Sequence, residues 1–346
     1  MINREKPNPG TNIKGIKMIK QKIILFYTLL LISTGYPQNT GNSRYLLSAA
    51  EVLKIMEVSK ITYNIIDSSG LSQNAELSVL SDQNYIQKEE DGSTSILQYQ
   101  LSDEGMSNFT LGENEFKSRS YSAAIHYYTK ILTTDKNYYK AYSYIGDSYF
   151  ANGNYDSAKY YFELAIEKNF IDYTPHWFLA DTFNKIGDHD SAIKEMTIAH
   201  LLNRNHPDIF RGLKNFRNNW GKKWDDWEIN PKCRNYEKDG KIYVESYIDW
   251  IGYDMADALW KYEPGFADGI IGKRYNDSLV YYQKEASCVM ANINSNNMVE
   301  ERIILGDNYF QEMIWYEIMI KKVPKLVFLL PRDFFNRIVD YVNKHH

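Results

Sequence analysis

The chain has 346 residues, 44% of them hydrophobic, and a formal net charge of −4. That is long enough for two domains or one elongated array, and apolar enough to exclude wholesale disorder. No basic block or stripe is present, so nucleic acid is not an expected partner.

The chain opens with a targeting pattern. Lys20 and Lys22 precede an apolar run, Ile23 to Ile32, and the small residues Ser33 and Gly35 come directly after it. Charge, a short apolar core and small residues form a secretory signal, with cleavage expected after Gly35. The run is too short to cross a bilayer as a helix, where about 20 residues are needed; an uncleaved anchor is the alternative reading. Met18 would start a conventional signal by itself, and no cysteine comes after the run, so a lipoprotein anchor is not indicated. The expected location is therefore exported: periplasmic or secreted, associated with the membrane only through the export signal. The signal style and the Asn/Ile/Lys/Tyr-rich composition suggest a bacterial source. Cys233 and Cys288 would then meet an oxidising compartment, either bridged or as two buried thiols.

Residues 36–102 read as an N-terminal cap on the region after residue 102, or as a stalk. Helical spacing runs from about Leu47 to Ile65, and "STSILQYQLS" suits a short strand.

Residues 103–206 repeat themselves at a spacing of 34. Leu111-Gly112, Ile145-Gly146 and Leu179-Ala180 align, as do Ala124, Ala158 and Ala192. So do Tyr128, Phe162 and Met196, and Ile131, Ala165 and Ala199. Small residues let two helices approach, and large ones such as Tyr149, Phe162 and Phe183 fill the space beside them. Gly153-Asn154 and Gly187-Asp188 suit the turn inside each helix pair, where glycine takes the left-handed conformation. Ser120, Asn154 and Asp188 share one position and are good caps for a second helix. Thr174-Pro175 reads as the cap and first residue of the third pair. The first unit departs at two places: Glu115 stands where Tyr149 and Phe183 stand, and Arg119 replaces the turn glycine.

This pattern resembles the tetratricopeptide repeat, a helix-turn-helix unit of 34 residues. All three units lack the proline that often closes it, having Lys136, Phe170 and Arg204 there. The resemblance implies a helical-hairpin solenoid whose first helices line a concave groove for a peptide or partner helix. The groove positions would be Phe109, Glu113, Phe116, Ser143, Asp147, Phe150, Trp177, Asp181 and Asn184. One of these is acidic in every unit (Glu113, Asp147, Asp181), which favours a basic or amide-rich peptide. Local pairing, Glu113 with Lys117 and Asp181 with Lys185, is the alternative role for two of the acids. The basic set with which some members of the family grip a C-terminal carboxylate is absent from the matching positions.

The part from 207 to 346 does not keep the period and reads as a separate, mostly helical domain. Trp220, Trp224 and Trp227 share one face if helical: an aromatic platform for a sugar or peptide, or packing against the last repeat. "NYEKDGKIYVESY" reads as a hairpin turning at Asp239-Gly240. Helices are expected near 249–262, 278–294, 307–322 and 332–344, and the apolar run between Pro324 and Pro331 reads as buried.

Catalytic signatures are lacking: no metalloprotease helix, nucleophile elbow or phosphate-binding glycine loop. The seven histidines lack metal-ligand spacing, and His345-His346 reads as a tail or a weak metal site. Asp225, Asp226 and Glu228 beside tryptophans are the one hydrolase-like grouping. The expected protein is mainly α-helical, a non-enzymatic scaffold without cofactor or metal, whose partner is a protein or peptide. A glycan-binding module and a C-terminal hydrolase are the alternatives.

Overall fold

The computed structural model describes residues 45–67, 77–81, 84–88, 94–267 and 278–346. The expected export signal, 1–35, lies outside them. The described residues form two compact units, one drawn from Met1–Ala75 and Glu228–Ile318, the other from Glu76–Trp227 and Met319–His346. The units thus interleave in sequence and do not keep the contiguous order 36–102, 103–206, 207–346.

In the unit that holds Glu228–Ile318, helix α1 (Ala49–Val58) starts on a capping box between Ser48 and Glu51. The helix expected to run to Ile65 ends at Val58, and Thr62–Asp67 forms strand β1. Tertiary pairing overrides the local pattern there: β1 lies parallel to β5 (Lys241–Ser246), with Tyr63 opposite Ile242 and Ile65 opposite Val244. Strand β4 (Cys233–Lys238) pairs with β5 on its other side as the expected hairpin. Asp239 and Gly240 both take positive φ, 52° and 68°, as a tight hairpin turn requires. Helices α9 (Ile251–Tyr262) and α10 (Ser278–Asn292) form the buried centre, with α1 against α9. Helix α11 (Val299–Gly306) has no counterpart among the expected elements, and α12 (Phe310–Ile314) runs into a π-helical turn at Trp315–Met319. Cys288 is buried on α10; the side chain of Cys233 lies outside the described residues.

The repeat-bearing unit begins with the antiparallel strands β2 (Asn84–Lys88) and β3 (Thr94–Gln98). Three helical hairpins come next: α2 (Asp103–Lys117) with α3 (Tyr121–Thr134), α4 (Lys140–Ala151) with α5 (Tyr155–Lys168), and α6 (Tyr173–Ile186) with α7 (His189–Leu202). Tyr99 and Leu101 pack on the core of the first hairpin. Asn154 and Asp188 cap as expected, whereas the Ser120 side chain makes no capping bond. The third pair starts earlier than Thr174-Pro175 suggests. Asp172 is its cap, accepting from the Thr174 N–H, and the expected cap Thr174 lies inside the helix.

The period also outlasts residue 206. Helix α8 (Pro207–Asn219) continues it by one helix, with Leu213 at the position of Leu179. The inter-helix turn position is left-handed four times at the same spacing: Arg119 at 62°, Gly153 at 78°, Gly187 at 86° and Gly221 at 73°. A solenoid end needs its apolar side covered. Here α8 and the last helix, α14 (Arg332–His345), both pack on α7, and α7 is buried without a break from Met196 to Leu202. A short helical segment, α13 (Ile320–Lys322), and a 3-10 turn, Pro324–Leu329, lead into α14; Val327 and Phe328 are buried as expected. No helix among the described residues is long and apolar enough to cross a membrane.

Candidate functional site: the first-helix face of the repeat array

Each hairpin is locked by one small-on-large contact. A Cβ at Gly112 would sit 2.5 Å from Tyr128 Cε1, and one at Gly146 would sit 2.7 Å from Phe162 Cε1. The third repeat has Ala180 opposite Met196 at the same positions, where a flexible side chain replaces a rigid ring. Ala124, Ala158 and Ala192 are fully buried, and Ile131, Ala165 and Ala199 lie in the core two turns further on. Identical contacts recur at one spacing, in hairpins of the expected length and turn. Residues 103–206 are a tetratricopeptide-like array. The first unit's departures fit it: Glu115 is half-buried at the aromatic position, and Arg119 adopts the left-handed turn without being glycine.

The expected groove positions lie on the first helices of the array, α2, α4 and α6. Several of their aromatics are committed to packing within the array. Phe109 tilts onto Tyr144 at 5.2 Å, Phe116 meets Tyr121 at 5.5 Å, and Phe150 meets Tyr155 at 5.4 Å. Trp177 is half-buried beside Phe178 and His206, Asn184 is half-buried, and Ser143 is fully buried with its Oγ unpartnered. Tyr149, at the aromatic position of the second unit, stacks on Tyr161 at 5.4 Å, and Phe183 is buried under Lys159.

The acids behave differently. Glu113 accepts a hydrogen bond from the Tyr128 hydroxyl at 2.8 Å, so its partner is a ring in the core and not Lys117. Burial and that carboxylate push the Tyr128 hydroxyl up. Burial, reinforced by the neighbouring charge of Glu113, pushes the Asp147 carboxyl up to about 6. Asp181 is also pushed up to about 6 by burial, which outweighs the pull of Lys185. Two half-buried carboxylates thus stand one repeat apart on equivalent turns of α4 and α6, held in surroundings that disfavour their charge. A cation or a donor brought against them would restore what burial removes.

A buried cation nearby escapes the repeat pattern. Lys140, at the start of α4, is 3.5 Å from Asp172 Oδ2 and 3.4 Å from Thr174 Oγ1. A lone lysine where the other units have Met106 and Thr174 is the signal the sequence carries for it.

The tryptophans do not share a helical face, because α8 ends at Asn219. Trp220 stacks on His189 at 4.2 Å; Trp224 and Trp227 stack on the ring of His346 at 4.8 and 5.0 Å. One face of each ring is covered by a histidine of the protein, and Trp224 is buried. His346 is buried, its Nδ1 3.0 Å from Asp225 O, and is therefore not a loose tail. Asp226 is exposed and paired with Lys214 at 2.6 Å, and Asp225 and Glu228 are exposed. Among the described residues no cluster of His, Cys, Asp or Glu is placed to hold a metal.

No protein-family signature matches the chain, and no curated protein matches it. Solved structures do match over about a third of its length. The first tetratricopeptide domain of Spaghetti (RPAP3), bound to an HSP90 peptide, is 18% identical, covers 35% of this chain and 95% of its own, with a TM-score of 0.32. The Sgt2 tetratricopeptide domain from Aspergillus fumigatus is 19% identical, covering 38% and 91%, with a TM-score of 0.32. The TPR2B domain of yeast Sti1, in a complex with Hsp70, is 15% identical, covering 35% and 98%, with a TM-score of 0.33.

Proposed function

We propose that this protein is a non-enzymatic interaction scaffold that holds an extended basic or amide-rich segment of a partner protein along the first-helix face of its repeats. The observation that carries this reading is the pair Asp147 and Asp181, whose carboxyls are raised to about 6 by burial on equivalent turns of neighbouring repeats. A lysine or arginine seated against them gains attraction that solvent would otherwise screen, because the site is partly dry. Trp177 and Asn184, half-buried beside Asp181 on α6, supply a surface and an amide for the rest of the segment. Tetratricopeptide domains generally bind peptides or proteins, as the HSP90-bound domain of Spaghetti does. The signal pattern at Lys20 to Gly35 sets this interaction outside the cytoplasm, in a bacterial envelope or beyond it.

Affinity capture from envelope extract tests the reading. The full chain and its Asp147→Lys/Asp181→Lys variant serve as baits. A protein recovered by the first and lost by the second is the expected result. Equal recovery by both would remove the groove from the function. Sequencing the N-terminus of the mature chain checks the export step, with a start at Tyr36 expected.

A further inference from the structure

The second helices of the three repeats end on Asp135, Asn169 and Asn203, which recur at the repeat spacing of 34. Each one binds the stretch of chain that precedes the array. Asn203 takes both backbone groups of Leu80: Oδ1 accepts from the Leu80 N–H at 2.9 Å, and Nδ2 donates to the Leu80 carbonyl at 3.1 Å. Asn169 Nδ2 donates to the Asn84 carbonyl at 2.9 Å. Asp135 accepts the Ser102 N–H at Oδ1 and the Ser102 hydroxyl at Oδ2, both at 2.9 Å. Asn205 adds a bond to the Ser78 carbonyl at 3.0 Å. The upstream stretch meets the third repeat first and the first repeat last, antiparallel to the array.

Three observations make this more than a set of loop contacts. Asn203 is fully buried and Asn169 is 7% exposed, so each amide would carry a full desolvation cost without its partner. Every rung engages a backbone group of the strap, and only the Ser102 rung adds a side chain, the hydroxyl bound by Asp135 Oδ2. The reach also fits. Three residues lie between Leu80 and Asn84, so their Cα atoms stand at most about 14 Å apart, and that one step carries the strap from Asn203 to Asn169. The interval from Asn84 to Ser102 is far longer than one step needs, and the excess forms the β2–β3 ladder, with Tyr85 stacked on Tyr99 at 4.5 Å.

We propose that Asp135, Asn169 and Asn203 form a backbone-binding track along one edge of the array, distinct from the first-helix face, and that its occupant is the chain's own upstream strap at Ser78–Ser81, Asn84 and Ser102. The strap clips the three repeats together and releases as one piece. It leaves the first-helix face unoccupied, so the inference stands whether or not that face binds a partner.

Hydrogen exchange of the full chain, read by mass spectrometry with fragmentation, tests it in Asn169→Ala, Asn203→Ala and Asn203→Asp. The decisive amide is Leu80, which bonds to Asn203. Asn169→Ala leaves that bond intact, yet a strap that opens as one piece exchanges at Leu80 at least tenfold faster. Helices α4–α7 keep their protection. Asn203→Asp retains the acceptor but sets a buried carboxylate against the Leu80 carbonyl, so its acceleration at Leu80 is at least that in Asn203→Ala; it also serves if either alanine variant fails to fold. Unchanged exchange at Leu80 in Asn169→Ala, or in Asn203→Asp where that is the variant measured, would overturn the proposal. So would exchange that depends on protein concentration, which would mean that the occupant comes from a second copy.

Discussion

At Gly146 a single methyl group decides whether two helices can touch. An added Cβ lies 2.7 Å from a ring carbon of Phe162, which is completely buried. Overpacking of this kind costs about 1–3 kcal/mol, against a helix-propensity gain of about 1 kcal/mol for replacing glycine. Gly146→Ala is therefore expected to lower stability by roughly 0–2 kcal/mol, centred on about 1, in urea unfolding. Gly146→Ala/Phe162→Met is expected to recover most of it, since the third repeat already pairs Ala180 with Met196. A stabilised single variant would mean that the seam is looser than its geometry. This contact is legible in the sequence, because small and large residues recur at one spacing.

The carboxyls of Asp147 and Asp181 give a second residue-scale test. Both are raised from 3.8 to about 6. A raised carboxyl favours the fold while it is protonated, so its contribution is full below about pH 4 and is lost as pH rises through about 6. Asp147→Asn is expected to gain about 1–3 kcal/mol at neutral pH, and the gain should vanish below about pH 4. A gain that persists in acid would assign the effect to something other than charge burial. The acidic position is legible from its threefold recurrence. Its burial is not, because that depends on neighbours across the hairpin seams.

Among the elements, the helices of the array are readable from the sequence and the long-range partners are not. Strand β1 reads as the end of a helix because its partner, β5, lies far along the chain. Asp135, Asn169 and Asn203 stand at a recurring position, but their ligand is upstream of the array and has no period of its own. The tryptophans carry a helical spacing that α8 does not extend far enough to use. Trp224 instead fills a buried site, edge-on to Phe210 at 5.3 Å and stacked on His346. Trp224→Ala is expected to cost about 3–5 kcal/mol, seen as a lower midpoint of thermal unfolding with the strap amides unaffected. A loss below about 1 kcal/mol would contradict its place in the core.

At the scale of the whole molecule, the chain divides into two interleaved units, and the repeat-bearing one supplies the face proposed to bind. The central claim is that this face takes a basic segment through Asp147 and Asp181. The most direct measurement is calorimetric titration of the full chain with an extended Lys/Arg-rich peptide and a Glu-rich control of equal length. The titrations are run at about pH 7.5 and about pH 5, on either side of the raised carboxyls. The expected result is binding of the basic peptide alone, at least tenfold weaker at the lower pH and in Asp147→Lys/Asp181→Lys, a loss of about 1.4 kcal/mol or more. Equal binding of both peptides, or basic-peptide affinity untouched by charge reversal, would contradict the account.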